Sequence, residues 1–111
     1  MEITVKKDSG ITVVYPSGRI DTSTAKNFEE GIMKIIPDNQ QIIISFSNIS
    51  YISSAGLRVI LVAGKRIASM KGQIALADMS EKIHEVFKMS GFDKILKIYP
   101  TLSDAKSYFG Q

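Results

Sequence analysis

The chain has 111 residues and a mass of 12.2 kDa, a size for one domain, and its 44% apolar and 23% charged positions are the balance of a folded rather than a disordered protein. It contains no cysteine, which excludes disulfide scaffolds, thiolate metal sites and thiol nucleophiles and points to an intracellular, cytoplasmic setting. The net charge of +3 is uneven, with five basic against six acidic residues in 1–55 and nine against five in 56–111, but the basic residues are scattered and not interleaved with aromatics, so direct nucleic-acid binding is not expected.

In chain order, residues 2–6 and 11–15 are short β-rich runs separated by Lys7, Asp8, Ser9 and Gly10, which predicts a β-hairpin. The first seven residues lack the apolar centre of a signal peptide, and no run of about 18 apolar residues follows, so no membrane span is expected. After Pro16, Ser17 and Gly18 the period becomes helical. Ala25, Phe28, Ile32 and Ile35 or Ile36 form one stripe, Asp21, Thr22 or Ser23 can cap its start, and Pro37-Asp38-Asn39 ends it.

Residues 41–46, Gln-Ile-Ile-Ile-Ser-Phe, read as a strand covered on both faces and therefore central. Residues 47–54 read as a connection. From Ala55 the helical period returns with Leu57, Ile60, Leu61, Gly64, Ile67 and Ala68, which predicts a helix over about 54–70 closed by Lys71-Gly72, with the glycine as left-handed cap. A strand over 74–77 follows, then a helix capped by Ser80, with stripe Ile83, Val86, Phe87 and Ser90, ending at Gly91. The predicted remainder is a strand over 95–99 and a last helix opened by Thr101 and Asp104, with Leu102, Ala105 and Phe109 inward. The expected order is β-β-α-β-α-β-α-β-α, a single α/β domain over 1–111 with a small mixed sheet of about five strands and about four helices.

Few residues suit catalysis. His84 is the only histidine, placed beside Glu81 and Glu85 on a helix, and no nucleophile elbow accompanies it. Gly56, Gly64 and Gly72 form no phosphate loop. No catalytic, metal or cofactor site is assigned, and an enzyme is not expected. Ser53, Ser54, Ala55, Gly56 and Leu57 do stand out, because they lie where a buried strand gives way to a helix. Small residues there expose the free amides of the first helical turn, where an anion is stabilised. A serine at this place is either a plain N-cap or the acceptor of a phosphoryl group.

Residues 45–61, Ser-Phe-Ser-Asn-Ile-Ser-Tyr-Ile-Ser-Ser-Ala-Gly-Leu-Arg-Val-Ile-Leu, resemble the signature of the STAS domain, specifically of bacterial anti-sigma factor antagonists. Residues 18–21, Gly-Arg-Ile-Asp, and 86–95, Val-Phe-Lys-Met-Ser-Gly-Phe-Asp-Lys-Ile, are similar to two further segments of that family in the same order. The resemblance implies a switch protein whose unphosphorylated form binds an anti-sigma factor of the serine kinase/ATPase type and so frees a sigma factor. A PP2C-like phosphatase would reverse the kinase's modification. Carried over by motif, the phosphoacceptor is Ser54, and the partner surface comprises Asp21, Thr22, Ser53, Ser54, Ala55, Gly56, Leu57 and Arg58. The chain departs from the family in three places: Ser53 stands where an aspartate is usual, Ser45 replaces a strand-end aspartate, and Arg58 replaces a small residue. Ser53 is thereby a second hydroxyl beside Ser54, and alignment alone chooses between them. Two other readings stay open: a phosphorylation-independent scaffold or subunit of a signalling or transport complex, and a small-ligand or nucleotide sensor.

Overall fold

The computed structural model describes residues 1–109. Its strands are β1 (Glu2–Asp8), β2 (Ile11–Ile20), β3 (Gln41–Ser45), β4 (Ile49–Ile52), β5 (Gln73–Ala77) and β6 (Lys97–Tyr99). Its helices are α1 (Ala25–Ile35), α2 (Ser54–Ser69), α3 (Glu81–Ser90) and α4 (Leu102–Tyr108), and single 3₁₀ turns follow α1 and α3. The sheet runs β1-β2-β3-β5-β6, with β1 antiparallel to β2 and the other neighbours parallel. This is a single small α/β domain with the expected mixed sheet and β3 at its centre.

Alternation along the strands divides the core. Val14, Ile42, Ile44 and Leu76 face one side, where they meet Phe28 and Ile32 of α1, Leu57, Ile60, Ala63 and Ile67 of α2, and Ile83 and Phe87 of α3. Their strand neighbours Val13, Ile43, Ala75 and Ala77 face the other, under Ala105 of α4 and Phe109. The continuous apolar run in β3 therefore has its expected cause, burial on both faces. The stripe predicted for α1 is buried at Ala25, Phe28, Ile32 and Ile36, and that for α3 at Ile83 and Phe87, with Val86 half-buried. Ser90, at the helix end, and Ala68, placed on the α2 stripe, are instead exposed, while Val59 and Ala63 join the buried face of α2.

Four details differ from the sequence reading. First, β2 does not stop at Pro16. A bulge at Gly18 and Arg19, with Gly18 at φ +106°, lets it continue to Ile20. Second, the stretch read as a connection contains β4, which pairs parallel to the far half of β2, Gly18 with Ile49 and Ile20 with Ile52. The sheet thus has six strands. Third, α2 ends through Lys71 at φ +62°, not through a left-handed Gly72. Gly72 is needed for a different reason, because a Cβ there would lie 2.5 Å from the Gln40 carbonyl oxygen. Fourth, the strand expected over 95–99 begins only at Lys97, since Phe92–Lys94 form a 3₁₀ turn.

Asp78 ties the carboxyl ends of the strands together. One carboxylate oxygen accepts from the buried Ser45 hydroxyl at 2.7 Å, and the other accepts from the Leu102 amide at 3.1 Å. The second bond satisfies an orphan donor at the start of α4.

Candidate functional site

Ligand and partner sites on parallel sheets gather at the carboxyl ends of strands, and the residues singled out by sequence lie there. β2 delivers Asp21, and β4 delivers Ser53 and Ser54. Because β2 and β4 are paired, these two loops are held side by side, and the Ser53 amide donates to the Ile20 carbonyl at 2.8 Å. The strand missed in the sequence is therefore the element that joins the two halves of the site.

The two adjacent serines have different jobs. Ser53 has extended backbone and is the N-cap of α2, with its Oγ accepting from the Gly56 amide at 3.3 Å. Ser54 is the first helical residue and is exposed, and among the described residues its hydroxyl makes no hydrogen bond. The plain capping role thus falls on Ser53, and the Ser54 hydroxyl is free to react or to touch a partner. Gly56 explains why the turn sits so close to the sheet: a Cβ there would lie 2.6 Å from Ile20 Cγ2 and 2.8 Å from Ile52 Cγ1. Leu57 is buried in the main core and anchors the first turn. Ala55 is half-buried and Arg58 is exposed.

Asp21 is the organiser of its own loop. Its Oδ1 accepts from the Ser23 hydroxyl at 2.7 Å, the Ser23 amide at 2.9 Å and the Thr24 amide at 3.2 Å, and Oδ2 lies 3.5 Å from Arg19 Nε. These bonds, led by that of the Ser23 hydroxyl, outweigh desolvation and hold the carboxyl below its ordinary 3.8. Thr24 is the positional N-cap of α1 but makes no side-chain cap bond. The carboxylate of Asp21 instead holds the turn that precedes α1, through the Ser23 and Thr24 amides, so the cap expected at Asp21, Thr22 or Ser23 is not observed: the helix starts later, after Thr24. Thr22 is left exposed between this loop and α2.

A cleft of about 410 Å³ lies between α1 and α2, lined by Thr22, Lys26, Glu29, Ser54, Arg58 and Val62 among others. Sequence reasoning did not include Lys26, Glu29 or Val62, because nothing in a linear pattern places α1 against the first turns of α2. On the strands of the site, the Arg19 guanidinium stacks over the Tyr51 ring at 4.3 Å from its centroid, leaving an exposed aromatic beside the serine loop. Among the described residues no group of three His, Asp or Glu side chains is disposed to hold a metal ion, and no helix is long and apolar enough to cross a membrane. The site is a surface with the exposed hydroxyls of Thr22 and Ser54, neither of which makes a hydrogen bond among the described residues, the first-turn amides of α2 and the cationic side chains of Lys26 and Arg58.

Residues 2–105 match the family described as the STAS domain. The chain is 31% identical over 101 residues to the anti-sigma F factor antagonist of Paenibacillus polymyxa, covering 89% of this chain and 86% of that protein. It is also 31% identical over 107 residues to the anti-sigma-F factor antagonist RsfB of Mycobacterium tuberculosis, covering 93% and 84%. The crystal structure of an anti-sigma factor antagonist from Mycobacterium paratuberculosis superposes with a TM-score of 0.90 at 25% identity, covering 99% of this chain and 94% of that one.

Proposed function

The chain belongs to the STAS domain family, and from that premise we propose that it is a cytoplasmic anti-sigma factor antagonist that acts by binding, with Ser54 as its switch. The unmodified protein docks an anti-sigma factor of the serine kinase/ATPase type through Asp21, Thr22 and residues 53–58, and the sigma factor is released. The partner kinase transfers the γ-phosphoryl group of ATP to Ser54. The bond from the γ-phosphorus to the bridging oxygen breaks, a bond to Ser54 Oγ forms, the hydroxyl proton passes to a base, and ADP leaves. A PP2C-like phosphatase restores the serine by hydrolysis, with inorganic phosphate as the other product.

The observation that carries this reading is the division of labour between the serines: Ser53 caps α2, and Ser54 presents an unengaged hydroxyl at the helix start. The modification adds a charge of about −1.5 to −2. At the N-terminus of a helix that charge is tolerated by the free protein. Enclosed in an interface without a counter-charge, it costs about 3–5 kcal/mol, or at least about a hundredfold in affinity. No backbone rearrangement is needed for the switch.

Affinity capture from native lysate with wild type, Ser54→Ala and Ser54→Asp as baits, read by mass spectrometry, tests the reading. An ATPase-type serine kinase held by the first two baits and lost by the third is the expected result. The same partners on all three would make the protein a phosphorylation-independent scaffold.

A further inference from the structure

The cleft beside Ser54 holds two cations that no carboxylate among the described residues pairs with. α1 and α2 both start there, and neither carries an acidic residue in its first turn, where acids are ordinarily favoured by the helix dipole. Lys26 instead occupies the second position of α1, where its charge opposes the dipole. Lys26 and Arg58 are exposed, both line the cleft with Ser54, and among the described residues neither forms a salt bridge. Two carboxylates are near, but Asp21 is engaged by Ser23, Thr24 and Arg19, and Glu29 on α1 is paired with neither cation.

Arg58 follows Ser54 by four residues in α2, so the two share a helix face with Cβ atoms about 5–6 Å apart. Side chains on a helix lean toward its N-terminus, so an extended Arg58 guanidinium can reach back to a phosphate on Ser54, with which it shares the cleft. Lys26 reaches the same cleft from α1. The Ser53 side chain occupies only the Gly56 amide, so the amides of Ser54 and Ala55 remain as first-turn donors without intrahelical partners.

We infer that a phosphate on Ser54 is clamped within the monomer, by the Arg58 guanidinium from one side and the Lys26 ammonium from the other. This rests on the reading of Ser54 as the phosphoacceptor and adds the means by which this chain holds the product. The planar fork of arginine matches two phosphate oxygens, and lysine contributes a point charge. The two exposed cations offset the dianion only in part, and while they hold it they are no longer available to a docked partner.

The test installs phosphoserine at position 54 during synthesis, so no kinase is required, and follows its ³¹P resonance from pH 4 to 8. The ordinary second ionisation of phosphoserine lies at about 6. The groups facing it are Lys26 and Glu29 on α1, Arg58 on α2, and the Asp21–Arg19 pair at the end of β2. The folded wild type is expected to titrate about half a unit or more below the same protein unfolded in urea, since cations favour the dianion. Arg58→Ala and Lys26→Ala each move the midpoint back up, Arg58→Lys keeps part of the shift, and about 1 M salt shrinks it. Thermal midpoint gives a second readout, because phosphorylation raises it in wild type and the increment falls in Arg58→Ala. Identical ³¹P midpoints in wild type, Arg58→Ala and Lys26→Ala would overturn the clamp. Failure of the switch itself would appear separately, as a partner that binds phosphorylated and unmodified protein alike.

Discussion

Two glycines of α2, eight residues apart, should respond to the same substitution with opposite signs. Replacing either by alanine in a helix interior recovers about 0.8–1 kcal/mol of intrinsic propensity. At Gly64 nothing opposes that gain: the new methyl would sit 3.6 Å from Leu96 Cδ2 and 3.8 Å from Ile74 Cγ2, ordinary contact distances. At Gly56 it would sit 2.6 Å from Ile20 Cγ2 and 2.8 Å from Ile52 Cγ1, against about 3.5–4.0 Å for carbon atoms in contact. Ile20 is 0% and Ile52 2% exposed, so neither side chain can swing into solvent, and α2 must lift by nearly 1 Å. Overpacking of this kind costs about 1–3 kcal/mol. The propensity gain cancels in the comparison, so Gly64→Ala should exceed Gly56→Ala in stability by about 1–3 kcal/mol, with wild type between them. Urea unfolding at pH 7, followed by circular dichroism, measures all three. A Gly56→Ala protein as stable as wild type or more so would refute the claim that close approach of α2 to β2 and β4 sets the position of Ser54.

Other predictions bear on neighbouring residues. Ser53→Ala should cost about 0.5–2 kcal/mol through loss of the cap, whereas Ser54→Ala should stay within about 0.5 kcal/mol of wild type. Chemical denaturation of the two variants distinguishes the capping serine from the free one. Asp78→Ala should cost about 1–3 kcal/mol, because it leaves the Leu102 amide without its partner, leaves the buried Ser45 hydroxyl only the Ser47 hydroxyl at 3.1 Å, and places a Cβ residue without a polar group at φ +63°. A change below about 1 kcal/mol in the same assay would contradict that role. The Asp21 carboxyl is lowered in the folded state by bonds led by the Ser23 hydroxyl, so its contribution is present above its unfolded value near 3.8 and is lost as pH falls through the folded value. Stability measured from pH 5 to pH 2 should accordingly decline less in Asp21→Asn than in wild type. Equal slopes would contradict the bonding described.

The extent to which the fold could be read from the sequence followed the strength of local patterns. β3 was legible because burial on both faces leaves a continuous apolar run, and α1 and α3 because one face each is buried. Gly91, at φ +81°, was a correct helix stop because a left-handed cap leaves an unambiguous residue. β4 was not legible: its four residues, Ile49 to Ile52, are inward only at the two ends, and the polar Asn48 and Ser53 flank them. The full extent of β2 was hidden for a related reason, since Pro16 and Gly18 look like a stop and only pairing with β4 reveals the bulge. At the site, the residues matched by resemblance do come together, Asp21 beside Ser53 and Ser54. Motif reasoning could not assign capping to one serine and exposure to the other, because that depends on where the helix starts to within one residue. Lys26 is on another helix, and only the packing of α1 against α2 brings it to Ser54.

The most direct test of the phosphorylation switch is the affinity of the purified kinase-type partner for two forms of this chain, unmodified and carrying phosphoserine at position 54, by titration calorimetry. The account predicts tight binding of the first and affinity at least about a hundredfold weaker for the second. Equal affinities would contradict it.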